Sequence, residues 1–238
     1  MITQKIKRKL YKLTHPVVGE IWMLHRVVEQ SSKKTEQQEL EVTPEWLEEK
    51  ITERRAMGWQ FVSIDNIPSL LTKHLSLNTK RFICVTFDDG YRDNYTLAYP
   101  ILKRLGVPFT VYVTTGFIDN RIPMWWYPGE QLGITIDELK EMDADPICTI
   151  GAHTVSHPKL DTLTRELQHR EIAESKQALE TLLGHEIKHF SFPHGAHNDD
   201  TLAICRELGF QTVVQSWGGP VRRGAHYDVL PRINITEP

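Results

Sequence analysis

Short apolar, β-branched runs alternate along this chain with helical patterns, and that alternation constrains its fold more than any other feature. VVGEIWMLHRV (17–27), FVSIDNI (61–67), RFICVTF (81–87), PFTVYVTTGFI (108–118), CTIGAHTVSH (148–157), HFSFPHG (189–195), QTVVQSWGG and the late LPRINI read as strands or as strands running into loops. Helical patterns separate many of them. TPEWLEEKITERRAMGW (43–59) has a threonine N-cap, proline at the first helical position and a late glycine. TRELQHREIAESKQALETLLG (164–184) is the clearest helix, stopped at Gly184, and NDDTLAICRELGF (198–210) is another. DNYTLAYPILKRLG (93–106) closes at Gly106, with Pro100 either bending it or marking its true start. Strands alternating with crossover helices imply a parallel sheet covered by helices. About seven such units point to an α/β fold of the distorted (β/α)7-type barrel kind in a single domain, and 238 residues are slightly few for eight.

Composition removes several function classes. The net charge of −3 makes no global electrostatic case for nucleic acid, and no stretch reaches the roughly 20 consecutive apolar residues of a membrane span. The division expected is a basic segment, residues 1–16, ahead of one folded domain, residues 17–238. In the first segment Ile2, Ile6, Leu10 and Leu13 recur at helical spacing among lysines. That pattern suits a solvated terminal helix or a weak peripheral contact of residues 1–14 with an anionic membrane. The segment develops no apolar leader core, and Cys84, Cys148 and Cys205 are odd in number and embedded in apolar runs. Both features lead to the expectation of a cytoplasmic protein with buried free thiols, at most peripheral to the inner face of the membrane.

Barrels of this kind do chemistry at the C-terminal ends of their strands. His25, Asp88, Asp89, His153, His157 and His194 all fall just past predicted strand ends, and so share one face. Two adjacent carboxylates before Gly90 suit either a capped surface turn or a cation that relieves their repulsion. His153 and His157 are four apart, which on a helical turn sets both imidazoles on one side, although loop histidines bonded to carbonyls have the same spacing. An aspartate and two histidines together make a divalent site that leaves a coordination position for water.

TFDDGY, HTVSHP and FSFPHG, in that order, resemble the first three motifs of the polysaccharide deacetylase superfamily, the nodulation-deacetylase homology domain. The resemblance extends over about residues 17–235. It implies a distorted (β/α) barrel that uses one divalent ion, zinc above all, to hydrolyse N-acetyl (sometimes O-acetyl) groups on sugars. Carried over, Asp88 is the general base, and Asp89, His153 and His157 hold the metal. The third motif departs from the pattern. Where the family often has an arginine that orients the base, this chain has Ser191, then Phe192, Pro193 and His194. The backbone N–H of His194 is still available as an oxyanion donor. Arg232 in LPRINI is the expected substitute for the arginine, since a guanidinium pairs with a carboxylate and holds it ionised.

The family's late Leu-x-His motif, source of the general acid in many members, has no counterpart here. Deacetylases acting on poly-N-acetylglucosamine have an early Tyr-His similar to Leu24–His25, which makes His25 the expected acid, with His194 and His226 as rivals. Pro193 and Trp217 are expected to line the acetyl pocket. Trp125, Trp126 and Tyr127 are either stacking platforms for sugar rings or buried packing.

The expected activity is metal-dependent removal of N-acetyl groups from a sugar, a glycan or a glycan precursor, with the lack of a leader favouring a precursor. Two alternatives stand beside it. One is hydrolysis of another non-peptide C–N bond on the same fold, and the other a carbohydrate-binding relative without catalysis. An intact base at Asp88 speaks against the second, because a binder has no use for one.

Overall fold

A computed structural model describes residues 14–30, 40–73, 80–224 and 228–237. The basic stretch 1–13 and His226 lie outside the described residues. Among the described residues, eleven strands are numbered in chain order: β1 (Val17–Leu24), β2 (Arg26–Val27), β3 (Glu41–Val42), β4 (Gln60–Phe61), β5 (Phe82–Phe87), β6 (Phe109–Val113), β7 (Cys148–Ala152), β8 (His189–Ser191), β9 (Thr212–Gly218), β10 (Val221–Arg222) and β11 (Leu230–Asn234). Seven of them close a parallel barrel in the order β1–β5–β6–β7–β8–β9–β11, and β11 returns to β1. The closing register sets Ile21 beside Cys84 and Trp22 beside Val85 on one side, and Trp22 beside Ile233 on the other. β4 extends β5 in parallel and β10 lies antiparallel to β1, while β2 and β3 form a separate two-stranded pair.

Strand alternation decides which side chains meet in the barrel's interior. Ile83, Val85 and Phe87 of β5 pack outward with the helices, in the same core as Leu47 and Leu102. Phe82 and Cys84 point the other way, into a second core with Ile21, Tyr112, Val214 and Leu230. Thr86 and Asp88 continue that inward face. Arg232, two residues beyond inward Leu230, is carried inside with no solvent exposure. Gly151 of β7 gives the Tyr112 ring its room, since a Cβ there would fall 2.5 Å from Cδ1 of the ring.

The helices follow their sequence signals. Thr43 accepts from the backbone of Trp46 and starts Pro44–Ala56, and Thr164 does the same for Arg165–Leu183, which ends on a left-handed Gly184. Asn198 and Thr201 form a capping box before Asp199–Glu207. The segment after Asp93 differs in detail. A π-helical turn, Asn94–Ala98, precedes the α-helix Tyr99–Leu105, and Pro100 sits in the first turn of the latter. Proline has no N–H to donate back along the helix, so the wide turn ends where the regular helix begins. The three cysteines are buried and free, and no described helix is long and apolar enough to cross a membrane.

Candidate active site

The site is built where β1, β5, β7, β8 and β11 end. At the close of β5 the chain turns sharply through Asp89 and Gly90, with φ of 76° and 79°. A non-glycine residue rarely takes this left-handed backbone, and such residues cluster at functional sites. Its effect is to send two consecutive carboxylates into the same buried space: Asp88 and Asp89 are each 2% exposed. Gly90 lets the turn press against β6, where an added Cβ would lie 3.1 Å from Val113.

Asp88 is held by Arg232. The guanidinium donates to both carboxylate oxygens, Nη1 to Oδ1 at 2.7 Å and Nη2 to Oδ2 at 2.5 Å. Its remaining donors are satisfied by the carbonyl of Gln215 and the hydroxyls of Thr86 and Ser191, and Ser191 also donates to Asp88. Burial opposes ionisation of Asp88, but the Arg232 guanidinium holds its carboxyl below the usual range. Arg232 therefore lies where the third motif's arginine was expected to act, though it arrives from the last barrel strand. Ser191 occupies the arginine's place in sequence and became a bridge between the pair.

Asp89 faces the histidines. Its Oδ1 lies 3.4 Å from Nε2 of His153 and 3.3 Å from Nε2 of His157, and it is buried without a hydrogen bond. One ligand atom from each of the three residues falls within 4.8 Å of the others. His153 donates Nδ1–H to the carbonyl of Ser191 at 2.7 Å, which leaves the Nε2 lone pair turned toward Asp89. Two carboxylates against one guanidinium leave this pocket short of positive charge. The orphaned oxygen, the fixed tautomer and that deficit fit a divalent cation with oxygen and nitrogen ligands.

The two histidines are not brought together by a helical turn. His153 directly follows β7, and the loop then passes through left-handed Thr154 and His157, with φ of 66° and 61°. The His157 ring is wedged between Trp126 at 4.9 Å and His194 at 4.6 Å between centroids. Trp126 is itself fixed by donating to the hydroxyl of buried Tyr91 at 2.6 Å.

His25, at the break between β1 and β2, lines the same cavity of about 320 Å3 as Asp88, Asp89, His153, His157 and His194. Its Nδ1 is buried without a hydrogen-bond partner, which is not how a structural histidine is held. Burial draws its pKa below the ordinary imidazole value, against the charges of Asp89 and Asp88. His194 is pushed down to about 4, chiefly by burial. It follows Pro193 in a short turn and has a left-handed backbone, φ 56°.

Two placements differ from expectation. Trp217 does not line the cavity that holds Asp89, His153 and His157, whose β9 contribution is Ser216. Neighbouring strand residues point to opposite faces, so Trp217 turns outward, 59% exposed, over Gly195. It lines a second cleft of about 480 Å3 with Lys159, Asp161 and Gln215, and His194 borders both clefts. Pro193 is buried and shapes the turn without reaching the cavity. The aromatic trio also divides: Trp125 is 69% exposed at the cavity edge, Trp126 packs on His157, and Tyr127 is buried.

The polysaccharide deacetylase family profile matches residues 77–213, more than half of the chain. The chain belongs to the polysaccharide deacetylase family. This deacetylase-family chain is 28% identical to YxkH of Bacillus subtilis over 225 residues, 94% of this chain and 74% of the relative. It is 25% identical over 171 residues to the poly-β-1,6-N-acetyl-D-glucosamine N-deacetylase of Staphylococcus aureus, covering 66% of this chain and 56% of that longer protein. Among solved structures, the Streptococcus pyogenes deacetylase PplD in complex with acetate superposes with a TM-score of 0.73 at 29% identity, covering 85% of each chain. The matched span carries Asp88, Asp89, His153, His157 and His194, while His25 and Arg232 lie outside it on the same barrel.

Proposed function

We propose that this chain is a metal-dependent N-deacetylase of an N-acetylated glycan, holding one divalent ion, zinc foremost, on Asp89, His153 and His157. The observation that carries the reading is the contrast between two adjacent buried carboxylates. Asp88 is satisfied by protein on both oxygens, while Asp89 keeps an oxygen that no hydrogen bond meets. One is kept ionised as a base and the other is left open as a ligand. When bound, a divalent ion at this place supplies Lewis-acid polarisation of the acetyl carbonyl and a lowered pKa for attacking water.

The chain's own residues do the rest. Asp88, kept ionised by Arg232, accepts a proton from the water that attacks the acetyl carbon. The backbone N–H of His194 donates to the oxygen that gains charge. His25 is the acid that protonates the departing amine. Burial makes its imidazolium the stronger acid, and the two nearby carboxylates favour its forming. His25 is preferred to His194 because its buried Nδ1 has no hydrogen-bond partner and stands in the cavity beside both carboxylates.

The extent of the groove favours a sugar chain over a small precursor. Clefts of about 320 and 480 Å3 meet at His194, with exposed Trp125 on the first and exposed Trp217 on the second. Each is on the scale of a small-ligand site. The S. aureus relative's poly-N-acetylglucosamine supports an amino-sugar polymer as substrate. Acetate release from N-acetylglucosamine oligomers of increasing length, with and without chelator, tests the reading. Zinc-restored release that grows with chain length is expected, and no release at any length with zinc bound would refute it.

A further inference from the structure

The two metal-binding histidines are held by different means. His153 is anchored through its own ring, by the Nδ1 bond to the Ser191 carbonyl at 2.7 Å. His157 has a buried Nδ1 with no hydrogen-bond partner, so its ring direction depends on the loop that carries it and on the rings beside it. That loop runs through two left-handed non-glycine residues and needs restraint from outside.

The restraint has two sources. On one side the carbonyls of Thr154 and Val155 accept from the backbone of Thr115 and Gly116 at 3.1 and 2.9 Å. On the other side one carboxylate takes every outward donor of the loop's centre. Glu171 Oε2 accepts from the backbone N–H of both Val155 and Ser156 at 2.9 Å, and Oε1 accepts from the Ser156 hydroxyl at 2.7 Å. The N–H of His157 is met inside the loop by the Thr154 hydroxyl at 3.1 Å. Glu171 sits in the second turn of the rigid helix Arg165–Leu183, which packs along the barrel.

We propose that Glu171 is a positioning residue for the metal site: by clamping Val155 and Ser156 it fixes the loop conformation that aims His157 at Asp89. Glu171 touches neither metal nor substrate. The inference rests on the metal-dependent reading above, and it adds a residue outside the three quoted motifs on which ligand geometry depends. Outer partners that orient a ligand typically contribute about 10–100-fold in metal affinity.

Two variants separate this role from general stabilisation. Glu171→Gln keeps an oxygen for both backbone donors and offers an N–H to the serine hydroxyl, whereas Glu171→Ala removes all three bonds. Zinc affinity is measured by competition with a chromophoric chelator, and amide exchange at Val155 and Ser156 is followed in the metal-free protein beside its thermal melt. Glu171→Ala is expected to weaken zinc binding about 10–100-fold and to speed exchange at those two amides. The melt should change little, and Glu171→Gln should stay within a few-fold of wild type. Unchanged zinc affinity in Glu171→Ala would overturn the proposal, as would a loss shared by both variants in step with a lowered melt. Wild-type protein that binds no divalent ion would refute the metal reading itself, a result distinct from either.

Discussion

Arg232 closes both of its terminal nitrogens onto Asp88, and both side chains are removed from solvent. Breaking a buried pair from one side leaves an uncompensated charge, which costs about 3–5 kcal/mol. The pair therefore links stability to catalysis. Arg232→Gln should lower the unfolding free energy by that order, measured by denaturant titration.

The same pair sets a pH dependence. Arg232 lowers the pKa of Asp88 in the folded protein, so that carboxylate stays ionised into the acid range. Its contribution to stability is present above the ordinary carboxylate pKa and is lost as pH falls through the depressed one. Without Arg232 the Asp88 pKa rises, and the acidic limb of kcat/KM should move to higher pH. A limb that stays in place in Arg232→Gln would separate Asp88 from the acidic ionisation.

Asp88 and Asp89 are adjacent but should fail differently. Asp88→Asn is expected to keep zinc and lose about 10²–10⁴ in turnover, the contribution of a positioned base. Asp89→Asn should lose zinc affinity first, with activity recovered in part by excess metal. Metal content and acetate release measured together distinguish the two.

His25→Ala should retain zinc and lose about 10²–10⁴ in turnover on an amide. An activated acetyl ester, whose leaving group needs no proton, should be affected far less. Equal loss on both substrates would move the acid role elsewhere.

The exposed tryptophans should act on binding. Trp125→Ala and Trp217→Ala are each expected to raise KM for a long N-acetylglucosamine oligomer by about 2- to 10-fold, the equivalent of an aromatic contact of about 0.5–1.5 kcal/mol. Turnover of a small activated acetyl ester should be nearly unchanged by Trp217→Ala, since that side chain stands in the second cleft.

Much of this was legible in sequence for physical reasons. The barrel follows from strands and crossover helices in alternation, and the meeting of Asp88, Asp89, His153 and His157 in one cavity from polar residues at strand ends. Arg232 was legible too, because it lies two residues from Leu230 on one strand and so shares its inward face. Trp217 was expected in the acetyl pocket, but its neighbour Ser216 takes the cavity and strand alternation sends the indole outward. The 153–157 spacing was read on a helical template, yet two left-handed residues bring the rings together instead. Glu171 was hidden among the carboxylates of its helix, with Glu166, Glu174 and Glu180 nearby. Nothing in local sequence separates a carboxylate that clamps a loop from one that faces water.

The ion pair between Asp88 and Arg232 joins positions 144 residues apart. Arg232 lies on β11, the strand that completes the barrel against β1. During synthesis, then, the paired carboxylates emerge early and wait without their guanidinium until nearly the whole domain has been made. Contacts this distant form late, after the cost of closing the intervening chain has been met. The buried ion pair and topological completion thus arrive together, and a barrel still missing β11 would hold Asp88 without the arginine that keeps it charged.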